Sequence, residues 1–392
     1  MAVARMVFTV LLFTSSAFAG QRALAPRDVS LSAADGTTLK ATYYPAAQPG
    51  PAVLLLHMCN TTRRSWDPLA PQLAAVGIHA LSVDYRGFGE SGGDRFEAMG
   101  PQAAQRVINE KWPGDLDTAY NFLLAQSGVD RTRVGAAGGS CGVNHAVRLA
   151  RRHSEVRSLV LLAGALDREG IVFMTETPWL PVFAAAAADD QYDDSAPETM
   201  RWMAALSGNP RNKFSGFKDG KHGTEIFGPH PELPKQIVAW YTDTLVTHVA
   251  DPAATVAKAT PLREFWRKAV SPTGVADAVQ IFEDLAKRGE RVSLFPEGQL
   301  NQLGYFHLQA GRTNDAIQLF KLNTIAYPSS ANTYDSLADG YLANGQNELA
   351  LRTSQKALEL LAKDPVSEER KRAVRESAEG RIAKLKGSGK QY

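Results

Sequence analysis

Two residues that can act as nucleophiles, Ser140 and Cys141, stand side by side in the glycine-rich segment VGAAGGSCGVNHAV at 134–147. A hydroxyl or thiol that attacks a carbonyl carbon forms a covalent acyl intermediate, which divides one difficult reaction into two easier steps. A serine does this when a histidine accepts its proton and a carboxylate holds that histidine in the required tautomer. Because the segment follows an apolar run typical of a β-strand, the sequence predicts acyl-transfer chemistry at the end of a strand.

The segment resembles the G-x-S-x-G nucleophile elbow of the α/β-hydrolase fold, in which a sharp turn joins a strand to a helix. In that elbow the residues two positions before and after the nucleophile must be small. Gly138 and Gly142 meet this requirement around Ser140. Around Cys141, one of the two positions is Val143, whose β-branched side chain would be crowded. We therefore take Ser140 as the candidate nucleophile.

The other two members of a catalytic triad follow in the order that this family uses, with the acid first and the histidine last. The segment PVFAAAAADDQYDD, at 181–194, resembles the strand and acid loop, and Asp190 is the best match to the family's aspartate. The segment FKDGKHGTEIF, at 217–227, resembles the final strand and the histidine loop, in which His222 precedes a glycine. His57 falls where the family has a structural histidine. The acid loop holds three alternatives to Asp190, namely Asp189, Asp193 and Asp194.

The resemblance also implies an oxyanion hole made of two backbone N–H groups, one just after the nucleophile and one in the loop after the third strand. These groups belong to Cys141 and Cys59, with Met58 as the alternative to Cys59. Met58 stands where the family has a glycine, so the sequence departs from the family in this loop. The string DYRGFGES, at 84–91, resembles a loop segment beside the α/β-hydrolase site, and we set aside its weaker match to a dinucleotide-binding pattern. The side chains expected to line the substrate site are Met58, Phe88, Phe173 and Trp179.

Cys59 and Cys141 are the two cysteines of the chain. In the α/β-hydrolase fold, residues at these two positions aim their N–H groups at one oxyanion, so the resemblance implies that their backbones are neighbours. That proximity predicts a disulfide between Cys59 and Cys141, which requires Cα atoms roughly 4.4–6.8 Å apart. Two free, buried thiols that point apart are the alternative.

Apolar runs alternate with helical patterns between about 28 and 250, which predicts an α/β-hydrolase domain over 20–250 with a mostly parallel sheet and helices on both faces. A hairpin is predicted at Asp35 and Gly36. A stretch rich in Ala, Thr and Pro indicates a linker, placed at 251–272. From 273 to 388 the pattern is helical and resembles tetratricopeptide repeats with a capping helix, because four residues recur 34 positions later. These residues are Leu303, Leu308, Gly311 and Ala316, which recur as Leu337, Leu342, Gly345 and Ala350.

The first 19 residues, MAVARMVFTVLLFTSSAFA, have the early arginine, the apolar run and the A-x-A ending of a cleavable signal peptide. We expect a secreted or periplasmic mature chain without a membrane span. With 43 basic and 41 acidic residues, the net charge of +2 gives no electrostatic footprint for nucleic acid. The sequence contains no paired metal-ligand motif, and we expect neither a metal nor an organic cofactor.

The sequence thus predicts an exported serine hydrolase that cleaves a small substrate at an ester, lactone or related acyl bond. The interval between the sixth strand and the acid strand is too short for a lipase-like helical lid, which favours an open site similar to that of the dienelactone hydrolase relatives. The helical repeats are expected to dock a protein or peptide partner or to mediate self-association. The alternative is a non-catalytic peptide- or protein-binding module that uses the hydrolase fold as a scaffold.

Overall fold

The structure is a computed structural model that describes residues 24–254, 259–290 and 293–388. The predicted signal peptide at 1–19 lies outside the described residues. Among the helices within these ranges, none is both long enough and apolar enough to cross a membrane.

In the described part of the chain, eight strands form one sheet in the order β1-β2-β4-β3-β5-β6-β7-β8. The strands are β1 (Arg27–Ser32), β2 (Thr38–Tyr44), β3 (Gly50–Leu56), β4 (His79–Val83), β5 (Val129–Gly139), β6 (Val156–Leu162), β7 (Val182–Ala187) and β8 (Lys213–Phe217). Strand β2 is antiparallel to both of its neighbours, whereas β3 to β8 all run parallel. The predicted α/β class with a mostly parallel sheet is confirmed.

The β1–β2 hairpin turns at Asp35 and Gly36, as the sequence predicts. Gly36 has a φ of 81°, a left-handed conformation that glycine adopts at low cost. The Asp35 carboxylate accepts a hydrogen bond from the Thr37 N–H at 3.2 Å, which is the pattern of an Asx turn. The short side chain of Asp35 and the freedom of Gly36 therefore fix this turn locally.

Helices pack on both faces of the sheet. They are α1 (Ala70–Ala75), α2 (Pro101–Arg106), α3 (Trp112–Leu124), α4 (Cys141–Arg152), α5 (Arg168–Glu176), α6 (Ala196–Ala205) and α7 (Glu232–Tyr241). Shorter helical segments are the π-helices Val107–Lys111 and Thr242–Thr247 and the 3-10 helices Arg63–Trp66, Phe96–Ala98 and Gly223–Phe227.

The apolar strands are buried on both faces, as their continuous apolar runs predict. Alternate residues point to opposite layers, so Leu54 and Leu161 pack in one layer while Val53 and Val160 pack in the other. Helices α3, α4 and α6 cover the first layer, and α1 and α7 cover the second. This arrangement brings the carboxyl ends of β3 to β8 to one edge of the sheet, where the loops that carry the candidate site residues emerge.

The chain after residue 260 is helical. Its helices are α8 (Pro261–Ala269), α9 (Val275–Lys287), α10 (Glu297–Gln309), α11 (Thr313–Ala326), α12 (Ala331–Ala343), α13 (Asn347–Leu361) and α14 (Glu368–Ser388). Helices α10 and α11 form a pair that α12 and α13 repeat 34 positions later. Gly311 and Gly345, with φ of 74° and 72°, turn the chain within the two pairs. The all-helical region is as predicted, and its assignment to tetratricopeptide repeats stays a prediction.

Helix α8 lies inside the segment that the sequence predicts as a linker, 251–272. The Thr260 side chain caps the helix by accepting a hydrogen bond from the Arg263 N–H, and the side chains of Phe265 and Trp266 are fully buried. A helix of nine residues beside an Ala-, Thr- and Pro-rich stretch shows too little periodicity to be recognised. Packing, rather than local sequence, defines it.

The first of the C-terminal helices share a hydrophobic core with the sheet. Phe265 and Leu300 belong to the same cluster of buried side chains as Leu54. The Arg168 guanidinium, at the start of α5, also donates a hydrogen bond to the Val270 carbonyl at 2.6 Å. The helical region is therefore packed onto the sheet region through both apolar and polar contacts.

Candidate active site

Ser140 occupies the sharp turn between β5 and α4. Its φ of 53° and ψ of −122° are a strained conformation for a residue with a side chain. A Cβ atom at Gly138 would lie 2.1 Å from the carbonyl oxygen of Gly142, and a Cβ at Gly142 would lie 2.5 Å from that of Leu56. Both positions must therefore be glycine, as the sequence argument for Ser140 requires.

Asp190 and His222 are in direct contact at the same edge of the sheet. Asp190 Oδ2 lies 2.6 Å from His222 Nδ1, and the two residues are 4% and 6% exposed. The other carboxylate oxygen, Oδ1, accepts hydrogen bonds from the backbone N–H groups of Tyr192 and Asp193 at 2.9 and 3.1 Å. The acid loop therefore orients one carboxylate oxygen towards the imidazole.

The three other aspartates of the acid loop have different partners. Asp189 accepts a hydrogen bond from the Lys221 N–H at 2.8 Å, and Asp193 accepts one from the Ser195 N–H at 2.9 Å. Asp194 faces Arg370 of α14 at 3.5 Å. Of the four carboxylates, Asp190 is the one that the structure brings to the candidate base.

Glu225 holds the histidine loop in place, which the sequence analysis did not recognise. Its Oε2 accepts hydrogen bonds from the His222 N–H at 3.2 Å and from Gln191 Nε2 at 2.9 Å. One carboxylate therefore accepts hydrogen bonds from both the acid loop and the histidine loop. No local motif marks this residue, because its partner Gln191 lies 34 positions away.

Ser140 and the histidine loop both lie close to the carbonyl oxygen of Leu162. The Ser140 N–H donates to the Leu162 carbonyl at 2.9 Å, and a Cβ atom at Gly223 would lie 3.5 Å from the same oxygen. Met58 Sδ accepts from the Thr224 N–H at 3.4 Å. A hydrogen bond between a catalytic serine and its histidine commonly tightens only with substrate bound.

Cys59 and Cys141 form a disulfide with their Cα atoms 5.8 Å apart, so the predicted bridge is present and the alternative of two free thiols is not. Cys141 is the first residue of α4, so its backbone N–H has no acceptor within the helix. The bridge therefore fixes the loop after β3 against the start of α4, next to Ser140.

His57 is a structural residue rather than a second base. It is fully buried, its Nε2 accepts a hydrogen bond from the Tyr85 N–H at 3.0 Å, and its Nδ1 lies 2.6 Å from the Met58 carbonyl. Because Nε2 accepts, Nδ1 carries the proton and the imidazole is neutral. Burial lowers the pKa of His57 to about 4, in keeping with that state.

The DYRGFGES segment forms a buried polar network behind the loop after β3. Asp84 is fully buried, accepts a hydrogen bond from the Arg63 N–H at 2.7 Å and pairs with the Arg63 guanidinium. Gly89 has a φ of 50°, and a Cβ atom there would lie 2.2 Å from Asp84 Oδ2. The glycines therefore wrap the chain around a carboxylate.

The expected substrate-lining residues lie in different places. Met58 is wholly buried between the elbow and the histidine loop, and its contact with substrate stays a prediction. Trp179 lies just before the amino end of β7, and the Arg157 guanidinium stacks over its ring. Because the strands are parallel, this end of β7 lies at the edge of the sheet opposite Ser140. Phe173 lines a surface depression with Arg151, near the far end of α4. Phe88 packs on His57 and also lines a small depression beside the loop after β3.

Tyr192, which the sequence analysis did not single out, lies over the candidate base. Its ring meets that of His222 edge to face with centroids 4.8 Å apart, and its hydroxyl accepts a hydrogen bond from Asn60 Nδ2 at 3.2 Å. Asn60 directly follows Cys59. Tyr192 therefore connects the acid loop to the loop after β3.

The C-terminal helices come close to the same loop. The Arg370 guanidinium of α14 lies 3.5 Å from the Tyr192 carbonyl oxygen, and the hydroxyl of Tyr327, directly after α11, donates to Glu198 at 2.6 Å. An open site was expected because the insert after β6 is short, and that insert is indeed only the helix α5. Helix α14, near the end of the chain, lies beside the acid loop.

No group of three or more His, Cys, Asp or Glu side chains is placed to hold a metal ion within the described ranges. Two further histidines of the sheet region lie away from the elbow: His145 is buried against Tyr85 and Trp112, and His153 pairs with Asp117 at 2.8 Å.

Residues 47–212 match the family model of the serine aminopeptidases, S33. An uncharacterized protein of Mycobacterium tuberculosis is 30% identical over 160 residues, which is 40% of this chain and 52% of the relative. An uncharacterized 31.7 kDa protein of Escherichia coli is 26% identical over 123 residues, which is 31% of this chain and 40% of the relative. The chain thus spans about half the length, or less, of the curated relatives that it matches.

Two solved structures are similar to part of this chain. The acylaminoacyl peptidase of Pyrococcus horikoshii is 14% identical, with a TM-score of 0.47, over 59% of this chain and 43% of that one. An esterase of Pyrococcus furiosus is 17% identical, with a TM-score of 0.44, over 56% of this chain and 92% of that one. The strand order, the elbow at Ser140 and the match over 47–212 together show that this chain has the α/β-hydrolase fold, followed by an all-helical region.

Proposed function

We propose that the protein is a serine hydrolase in which Ser140, His222 and Asp190 form the catalytic triad. The observation that carries this proposal is the buried contact of 2.6 Å between Asp190 and His222, at the edge of the sheet where Ser140 occupies the elbow. A scaffold without activity has no need of a buried carboxylate–imidazole pair beside a strained serine. That pair therefore favours a hydrolase over the non-catalytic binding module.

In this proposed mechanism each residue has one role. Ser140 Oγ attacks the substrate carbonyl carbon while His222 Nε2 accepts the hydroxyl proton. Asp190 holds the proton on Nδ1 and stabilises the imidazolium that forms. The backbone N–H groups of Cys141 and Cys59 stabilise the oxyanion. His222 then protonates the leaving group, and a water molecule activated by the same imidazole releases the acyl group from Ser140.

The bond that is cleaved is an ester or a related acyl bond, such as a lactone, thioester or amide. The sequence resemblance favours small esters and lactones of the kind that dienelactone hydrolase relatives cleave. The matched family model, the serine aminopeptidases, favours a peptide bond instead. Rates with p-nitrophenyl butyrate and with alanine p-nitroanilide distinguish the two classes.

Labelling with a fluorophosphonate tests the nucleophile directly. We expect the wild-type protein and Ser215→Ala to be labelled, because Ser215 lies on β8 away from the elbow, and Ser140→Ala to remain unlabelled. Turnover of p-nitrophenyl butyrate should fall by about 10³-fold or more in Ser140→Ala. Labelling of Ser140→Ala, or turnover near that of the wild type, contradicts the proposal.

We further propose that the chain is exported and that the helical region binds a protein or peptide. The Cys59–Cys141 disulfide supports export, because disulfides persist in oxidising compartments. Fractionation of cells that produce the full chain tests this: we expect the protein outside the cytoplasm, shortened by its first 19 residues. An unprocessed protein in the cytoplasm contradicts export without affecting the hydrolase proposal.

A further inference from the structure

The loop after β3 makes a tight turn whose two central residues are Cys59 and Asn60. The Thr61 N–H closes the turn by donating to the Met58 carbonyl at 3.1 Å. A turn closed in this way does not use the N–H groups of its central residues. Within the described ranges, the Cys59 N–H donates to no backbone acceptor, so it is available to a ligand.

The N–H group of Cys141 is available in the same way. Cys141 is the first residue of α4, and the first N–H groups of a helix have no acceptor within that helix. The disulfide joins Cys141 to Cys59, with the two Cα atoms 5.8 Å apart. One covalent link thus connects the two backbone donors that the proposed mechanism assigns to the oxyanion.

Backbone packing positions the first part of the loop after β3. A Cβ atom at Gly142 would lie 2.5 Å from the Leu56 carbonyl oxygen and 3.0 Å from that of His57, so α4 begins in direct contact with the end of β3. His57 is fully buried and accepts a hydrogen bond from the Tyr85 N–H at 3.0 Å. Met58 is also fully buried. The chain up to Met58 is therefore held by the sheet and the elbow.

The turn tip, Cys59 and Asn60, is held differently. Cys59 is partly exposed and Asn60 is exposed, and the chain is buried again at Arg63. Within the described part of the chain, two bonds tie the tip to other elements. One is the disulfide to α4, and the other is an exposed hydrogen bond of 3.2 Å from Asn60 Nδ2 to the Tyr192 hydroxyl. Because a neutral hydrogen bond in contact with water adds little net free energy, the disulfide is the stronger restraint on the Cys59 N–H.

We propose that the Cys59–Cys141 disulfide positions the oxyanion hole, so that the oxidised protein is the active form and the reduced protein is a weakly active one. The sulfur atoms act through the backbone that they hold, and neither serves as a nucleophile. Because the oxyanion exists only after Ser140 has attacked, loss of the bridge lowers kcat and leaves KM little changed. This inference rests on the proposed hydrolase function.

Activation is then a thiol–disulfide exchange. The two cysteine thiols of the reduced protein lose two protons and two electrons to an external disulfide such as oxidised glutathione, which is reduced to two thiols. One S–S bond forms in the protein and one breaks in the oxidant. Both cysteines are partly exposed, so a small reagent can approach them in the folded protein.

Two esters that differ in one atom test the proposal. They are p-nitrophenyl butyrate and its thiono analogue, in which C=S replaces C=O. Sulfur is larger than oxygen and accepts hydrogen bonds weakly, so a well-placed oxyanion hole favours the oxygen ester. The ratio of the two kcat/KM values does not depend on the fraction of the sample that is folded.

We expect this ratio to fall by about tenfold or more in the double variant Cys59→Ser with Cys141→Ser, which keeps both N–H groups. The KM for p-nitrophenyl butyrate should stay within about threefold of the wild-type value. A ratio equal to that of the oxidised wild type overturns the proposal.

Leu123→Ala is the matched control. Leu123 is fully buried near the end of α3, next to the start of β5 and therefore at the opposite edge of the sheet from Ser140. The substitution should lower stability and keep the ratio. A ratio that falls as far in Leu123→Ala as in the double variant assigns the effect to general destabilisation and overturns the proposal.

Reduction of the wild type with dithiothreitol gives a second measurement without any substitution, and it decides the matter if the double variant does not fold. The ratio should fall once two thiols can be titrated and should return after reoxidation with oxidised glutathione. An unchanged ratio in the reduced protein overturns this proposal while leaving the hydrolase intact. An oxidised wild type that cleaves neither ester and is not labelled by a fluorophosphonate instead contradicts the hydrolase, and this inference with it.

Discussion

Asp190 Oδ2 lies 2.6 Å from Nδ1 of His222, whereas the preceding carboxylate, that of Asp189, is bonded to the backbone of Lys221. Two adjacent residues of the same chemistry thus have different partners. The first orients the candidate base, and the second anchors the start of the histidine loop.

This difference predicts unequal effects of two matched substitutions. Asp190→Asn should lower kcat for p-nitrophenyl butyrate by about 10⁴-fold, because an amide at this position favours the wrong tautomer of His222. Asp189→Asn keeps the acceptor oxygen and should retain kcat within about threefold. Steady-state kinetics on the two variants measures both effects. The reverse ranking would assign the role of triad acid to Asp189.

Removal of the disulfide should destabilise the fold. For the double substitution Cys59→Ala and Cys141→Ala, we expect the free energy of unfolding to fall by about 2–4 kcal/mol, because the bridge joins residues 82 positions apart and restricts the unfolded chain. Urea denaturation of the oxidised wild type and of the double variant measures the difference. Reduction of the wild type under the same conditions serves as the control and should lower the free energy of unfolding by the same amount. A double variant as stable as the oxidised protein would show that the bridge adds nothing to folding.

The buried pair of Asp84 and Arg63 should be sensitive to the loss of one charge. Asp84→Asn leaves the Arg63 guanidinium buried without its counter-ion, and we expect the free energy of unfolding to fall by about 3–5 kcal/mol. Asp28→Asn is a suitable control, because its carboxylate is largely exposed and also faces Arg63. Thermal unfolding followed by circular dichroism measures both. Equal, small effects of the two variants would show that the network is not important for stability.

Two buried histidines should make stability fall in acid. Burial lowers the pKa of His57 to about 4 and that of His145 to about 3, whereas the ordinary value is 6.5. Between these values the unfolded chain binds protons that the folded chain does not, so their contribution to stability is present above pH 6.5 and is lost as the pH falls towards 4.

Substitution of one of the two histidines isolates this effect. His145→Phe keeps a ring among Tyr85 and Trp112 but removes the titrating group, so its stability should vary less with pH than that of the wild type. Urea midpoints measured at about pH 7 and about pH 4.5 provide the comparison. An identical pH dependence in the two proteins contradicts the assignment to His145.

The sequence allowed the elbow and the strands to be predicted because both depend on local patterns. The G-x-S-x-G spacing around Ser140 is visible in five consecutive residues, and continuous apolar runs indicate strands that are covered on both faces. Tyr192 and Arg63 could not be recognised, because their roles depend on partners such as Asn60, 132 positions away, and Asp84. The position of the C-terminal helices beside the acid loop was likewise hidden, since it depends on packing between distant segments.

The core that joins Phe265 and Leu300 to Leu54 also has a consequence for how this chain can be divided. Buried apolar side chains of the sheet region and of α8, α10 and α11 belong to one continuous core. We expect calorimetry to show one cooperative endotherm for the sheet and these helices rather than two. The helical region is then not an interchangeable module. An unrelated repeat array fused after residue 250 would leave part of the sheet region's core without a cover, so the two regions are constrained to change together during evolution.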